Sequence, residues 1–174
     1  MELKQRAQMD PAYQWDLTAI YENDAAWECA MEKAAAAVKA LKSLPGTLGA
    51  SAQALADGLD KIYAASALVE RAYIYAMLRR DGDNADARGQ EMSGKSTTLY
   101  VEFSTNTAFL EPEILAIDEK TLAEYLKEER LATYRHLIGN IVRGRAHVLG
   151  AEQEKMLAML SDAAGGFKKS FSML

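Results

Sequence analysis

The sequence predicts an all-α fold, a helical bundle or layered array of about six helices with no sheet, and three observations predict it. Apolar residues recur at steps of three and four along most of the 174 residues, the spacing of one helix face. Alternating β-branched runs bounded by turn residues, the mark of half-buried strands, are absent from the sequence. Helix-capping and helix-breaking residues stand between the apolar stretches.

Residues 1–22 read as an N-terminal extended segment and residues 23–174 as a helical lobe. From Asp24 to Leu44, Trp27, Met31, Ala34, Val38 and Leu41 share one stripe. Asn23 or Asp24 caps its start, Ala34 to Ala37 adds helix propensity, and Pro45-Gly46 ends it. Leu55, Leu59, Ile62, Val69, Tyr73 and Met77 predict a second helix, with Ser51 as its cap and Asp81-Gly82-Asp83-Asn84 as its end. A third carries Met92, Leu99, Phe103 and Leu110 and ends near Pro112, whose ring is best tolerated in the first turn of the helix that follows. Beyond Asp118, Leu122, Tyr125 and Leu126 predict a short helix, and Leu131, Tyr134, Ile138, Ile141 and Val142 another. Met156, Met159 or Leu160, Ala163, Phe167, Phe171 and Leu174 form the last stripe, which runs to the final residue without a cap and predicts truncation from a longer chain.

A chain of this length buries roughly 70% of the surface its unfolded form exposes. With 49% hydrophobic and 26% charged residues, it has the balance of a folded, water-soluble domain. A net charge of −5 offers no diffuse attraction to phosphate backbones or anionic lipids, which argues against nucleic-acid and membrane partners. No run of about 18 apolar residues occurs, and Met1 to Asp10 lacks the apolar core of a secretory signal. The expected compartment is the cytoplasm.

Several patterns imitate functional motifs. Gly89-Gln90-Glu91-Met92-Ser93-Gly94-Lys95-Ser96 satisfies the phosphate-loop spelling, yet a polar, turn-like stretch precedes it instead of a buried strand, so Lys95 and Ser96 are expected on a helix surface. Asp81, Asp83, Asn84 and Asp86 evoke a calcium loop, but Asp86 stands where the turn glycine belongs and Met92 where the bidentate Glu belongs. An acidic turn that caps the next helix is the preferred reading. Cys29, the only cysteine, is expected as a small packing residue. His136 and His147 would lie about 16 Å apart on a continuous helix, too far to share a zinc ion, so a structural hydrogen bond is expected of each. Glu111 and Glu113 read as acids favouring a helix N-terminus. No cofactor site is expected in this chain.

The stretch from Tyr134 to Leu149 is the most informative, because it places bulky apolar, basic and imidazole groups on one predicted helix. Together with Trp15-Asp16-Leu17, Ile20-Tyr21, Trp27, Tyr75-Ala76 with Asp81 and Asp83, and Pro112-Glu113-Ile114, it resembles the N-terminal region of oligoendopeptidase F, a zinc metallo-oligopeptidase family. The resemblance covers about residues 13–160. Gly150 departs from it, standing where a capping Ser is expected.

The resemblance implies a cytoplasmic parent enzyme that cleaves short peptides in a deep helical channel. Its zinc is held by a His-Glu-x-x-His pair and a downstream Glu with no counterpart in this sequence. The expected role is therefore a non-catalytic helical lobe in the channel wall, partnered by a missing C-terminal catalytic domain. Arg143, Arg145 and His147 form a cationic edge that could contact oligopeptide substrate or that domain, the more ordinary expectation being ion pairs with nearby acids of this acidic chain. Apolar faces left uncovered would favour self-association. A stand-alone helical interaction module is the alternative. The polypeptide alone should bind no stoichiometric zinc and hydrolyse no oligopeptide; one tightly held zinc per chain by elemental analysis, with activity lost on chelation, would overturn this.

Overall fold

One helix, α2 (Ala52–Gly82), organises the molecule: at 31 residues it extends about 46 Å, and both of its long neighbours pack along it. The computed structural model describes residues 8–145, and among these every regular element is helical. The chain divides into two units, Met1–Arg135 and His136–Leu174. The predicted all-α class holds, with six α-helices among the described residues.

Side-chain caps set the helix starts. Asn23 accepts the amide of Ala26 at 2.9 Å to begin α1 (Asp24–Ala40), and Ser51 accepts that of Ala54 at 3.0 Å to begin α2. Asp86 accepts from Arg88 and Gly89 to begin α3 (Ala87–Thr107), which is the capping role expected of the acidic turn. A 3-10 turn, Leu41–Ser43, ends α1, and the chain then reverses through Gly46, whose φ of 81° suits a residue without Cβ.

The core has three tiers along α2. Trp27 of α1 meets Ala72, Tyr75 and Ala76 of α2 and Met92 of α3; Ala34 and Val38 meet Val69 and Leu99; Leu41 and Leu44 meet Ile62 and Ala65. The order fixes α2 as antiparallel to α1 and α3. Each tier sets small residues against large ones, which lets backbones approach without voids. Trp27 is fully buried, and its indole N–H donates to the carbonyl of Ala72 at 2.8 Å, so it leaves no unpaired donor in the core.

The first turns of α2 pack differently. Leu48, in the 3-10 turn Leu48–Ala50, sits so near Gly58 that a Cβ there would come within 2.2 Å of its Cδ2. The short helix α4 (Leu110–Ala116) packs on the same turn, holding Pro112 in its first turn as expected. Glu113 does more than favour the start of its helix: its carboxylate accepts the amides of Gly46 at 2.9 Å and Leu48 at 2.6 Å, tying two segments 65 or more residues apart. Next come α5 (Glu119–Tyr125), capped by Asp118, and a 3-10 stretch, Glu129–Tyr134, which contacts α2.

Four expectations need correction. Leu110 opens α4 instead of closing the third helix. Leu131 to Val142 is no single helix but a 3-10 stretch followed by α6 (Arg135–Gly144). Cys29 lies on the exposed side of α1, because the inward stripe is already filled by Trp27, Ala34 and Val38. Ser96 is buried; its hydroxyl donates to the carbonyl of Ser93 at 3.1 Å, which makes it tolerable inside. The final predicted stripe, Gly150 and the terminal residues lie outside the described residues.

Replacing Glu113 by Ala leaves two loop amides without their acceptor and should lower stability by about 2 kcal/mol in denaturant unfolding. Glu111→Ala, in the same turn but exposed, should change it by less than about 0.5 kcal/mol. Equal effects of the two would contradict the tie.

Candidate functional site

Charges gather where the start of α1, the end of α2 and the start of α3 meet. Arg88 reaches Glu28 at 2.6 Å, Glu91 at 2.8 Å and Asp24 at 3.7 Å, while Lys95 reaches Glu91 at 2.8 Å and Glu28 at 3.4 Å. Arg79 bridges Asp24 at 3.3 Å and Asp86 at 3.5 Å, and the Tyr75 hydroxyl donates to Asp24 at 3.2 Å. The hydrogen bond from Arg88 holds the Glu28 carboxyl below its usual range, and that from Lys95 does the same for Glu91. Burial, and then the charge of Asp24, pushes the Tyr75 phenol up. These groups are partly or fully exposed, so water screens each pair, and the network chiefly orients the three helix ends.

The phosphate-loop spelling falls inside this network. Gly89 to Ser96 is continuous α-helix within α3, and Lys95 is engaged by Glu28 and Glu91. A helical segment directs its amides along its own axis, so it cannot cradle a phosphate at mid-length.

Beside the network runs a groove of about 630 Å³ whose lining includes Trp15, Asp16, Glu22, Asp24, Tyr75 and Arg79. Its N-terminal wall is fastened to α2. Arg71 donates to the carbonyl of Ile20 at 2.6 Å and stands over the Tyr21 ring at 4.9 Å, and Tyr21 packs edge-on to Tyr75 at 5.4 Å. Asp16 accepts from the Thr18 hydroxyl at 2.6 Å and amide at 2.9 Å, and the Thr18 hydroxyl leads in holding its carboxyl low. Trp15 is 59% exposed.

A second polar cluster ties Glu129–Tyr134 to α2. Arg130 pairs with Asp57 and Asp60 at 2.7 Å each, and the Tyr134 hydroxyl donates to Asp60 at 2.7 Å. Burial, followed by this bond, pushes the Tyr134 phenol up to about 12.

Of the residues expected at the cationic edge, Arg143 is exposed on α6 and Arg145 follows that helix half-buried; His147 lies outside the described residues. Arg143 donates to the Asn140 amide oxygen, and the Asn140 amide nitrogen stands 3.1 Å from His136 Nε2. His136 thus has the structural hydrogen bond expected of it. Among the described residues no three His, Cys, Asp or Glu side chains stand together as metal ligands, so these residues do not fit the zinc that the resemblance implies. Nor is any described helix long and apolar enough to cross a membrane.

Sequence reading missed both the groove and the network around Arg88. Arg88, Glu91 and Lys95 at steps of three and four were a legible local signal; their pairing with Asp24 and Glu28, some sixty residues earlier, was not.

Comparison with known proteins defines the class. The family described as Oligopeptidase F matches residues 113–174. Oligoendopeptidase F, plasmid, of Lactococcus lactis subsp. cremoris is 34% identical over 157 residues, covering 89% of this chain and 26% of that protein. The crystal structure of oligoendopeptidase-F from Enterococcus faecium superposes with a TM-score of 0.69 at 31% identity, over 78% of this chain and 27% of that one. A Chlamydophila abortus crystal structure described as a peptidase gives a TM-score of 0.78 over 98% of this chain and 29% of that one; its 24% identity speaks for the fold alone. The chain, helical throughout its described elements, therefore matches the N-terminal region of such peptidases. It resembles the curated oligoendopeptidase F proteins and spans about a quarter of the length of those it matches.

Glu28 and Glu91 have folded pKa values below their unfolded values, so the stability they contribute is fully present above about pH 4.5 and is lost as pH falls through the lowered values. Arg88→Gln should flatten the fall of the thermal midpoint between about pH 5 and 3. An unchanged slope would show that the network is not formed in solution.

Proposed function

We propose that this chain is the non-catalytic helical domain of a zinc metallopeptidase that hydrolyses short peptides, forming part of its substrate-channel wall. The observation that carries this reading is coverage: 89% of the chain aligns with only 26% of a protein named oligoendopeptidase F. In this reading the zinc centre belongs to the remaining three-quarters, and this region supplies shape. Rigid helices flanking a channel exclude folded proteins sterically and admit flexible oligopeptides. In the proposed enzyme, working in the cytoplasm, Arg143, Arg145 and His147 contact the oligopeptide or the catalytic part, because a cationic edge attracts carboxylates.

A chimera tests this. The Lactococcus relative, with its matching N-terminal quarter replaced by this chain, should load zinc and cleave an internally quenched oligopeptide while leaving folded casein-sized globular proteins intact. Arg143→Gln with Arg145→Gln should lower its kcat/KM about tenfold, the scale of one lost charge-assisted contact. A folded, zinc-loaded chimera without turnover would contradict the scaffold reading, and one indifferent to both substitutions would contradict the contact.

A further inference from the structure

Among the described residues, the groove beside the start of α1 is lined by more carboxylates than cations. Asp24 is paired with Arg79 and Arg88 and accepts the Tyr75 hydroxyl, and Arg79 is in turn shared with Asp86. Among the described residues Asp16 accepts from the amide and hydroxyl of Thr18, neither of them charged, and Glu22 is an exposed carboxylate lining the same groove. Among the described residues the lining thus sets three carboxylates against one guanidinium.

Next to them stands an aromatic residue that packing does not explain. Leu17, Ile20 and Tyr21 of the same segment lean on the core, yet Trp15 remains 59% exposed while lining the groove. An indole face left in water beside two carboxylates, Asp16 and Glu22, that pair with no cation among the described residues is an arrangement suited to a flat, weakly hydrated positive group. Guanidinium meets this better than ammonium, because it stacks on a ring and still presents N–H groups in its plane to carboxylates. The volume of about 630 Å³ lies within the range of pockets that enclose small ligands, and it accommodates an arginine side chain with flanking backbone.

We propose that this groove binds an arginine side chain of a peptide segment, with its guanidinium stacked on Trp15 and paired with Asp16 and Glu22. Asp24, Tyr75 and Arg79 form the wall already paired within the charge network, so Asp16 and Glu22 supply the attraction. The proposal concerns binding by this chain alone and does not rest on the peptidase reading.

The full 174-residue chain, titrated with acetyl-Gly-Arg-Gly-amide at low salt, tests it. The chain has two tryptophans, and Trp27 is fully buried, so a change in emission on binding reports Trp15. Saturable binding is expected, with acetyl-Gly-Gln-Gly-amide at least about tenfold weaker. Glu22→Gln should weaken the arginine peptide about fivefold, and Trp15→Ala, followed by calorimetry, should abolish binding without moving the thermal midpoint. Three results would overturn the proposal: no saturation by about 10 mM, equal binding of the glutamine peptide, or unchanged affinity in Glu22→Gln. Glu22 is exposed, so that variant remains decisive if Trp15→Ala fails to fold.

Discussion

The close approach of α1 and α3 to one shared helix is the constraint on which the rest depends. α2 buries Ala65, Val69, Ala72 and Ala76 between its two neighbours, and these short side chains leave the room that Trp27 and Met92 fill. The Trp27 indole can lie against the α2 backbone only because Ala72 adds no bulk there, and its hydrogen bond to the Ala72 carbonyl removes the cost of burying a donor. Larger residues at these alanines would push both neighbours outward, breaking the tiers and the charge network at their ends together.

From this packing follows the division between what could and could not be read from the sequence. On α1 and the 3-10 turn that ends it, the inward positions Trp27, Ala34, Val38 and Leu41 were legible, because that segment buries a single stripe with a regular step. α2 is covered from two sides, so its buried arc is wider than one stripe. Tyr73 and Met77 were expected inside but are only half-buried, while Ala72, Tyr75 and Ala76 are buried instead. Alanine carries little hydrophobic signal, and a helix flanked on both sides hides its inward face among small residues. Ser96 escaped for a related reason: a hydroxyl that bonds back to its own helix is sterically small and electrostatically satisfied.

The polar features were legible only where they are local. Asn23, Ser51, Asp86 and Asp118 cap helices within a few residues of themselves, and the first three could be anticipated from position alone. Glu113 with the Gly46–Leu48 turn, Arg88 with Glu28, and Arg130 with Asp57 and Asp60 join residues sixty or more positions apart, and no local pattern announces them. These long-range ties hold helix ends and turns where the apolar tiers give out. A scaffold of this kind agrees with the proposed channel-wall role, since its rigidity resides in helix packing and its polar chemistry is confined to the ends.

The most direct test of α2 as the organising element is native-state hydrogen exchange across residues 65–76, compared with α1 and α3. If both neighbours depend on α2, its central amides should exchange only through global unfolding, with the same opening free energy as those of Ala34, Val38 and Leu99. Faster, independent opening of the α2 centre while α1 and α3 stay protected would contradict it.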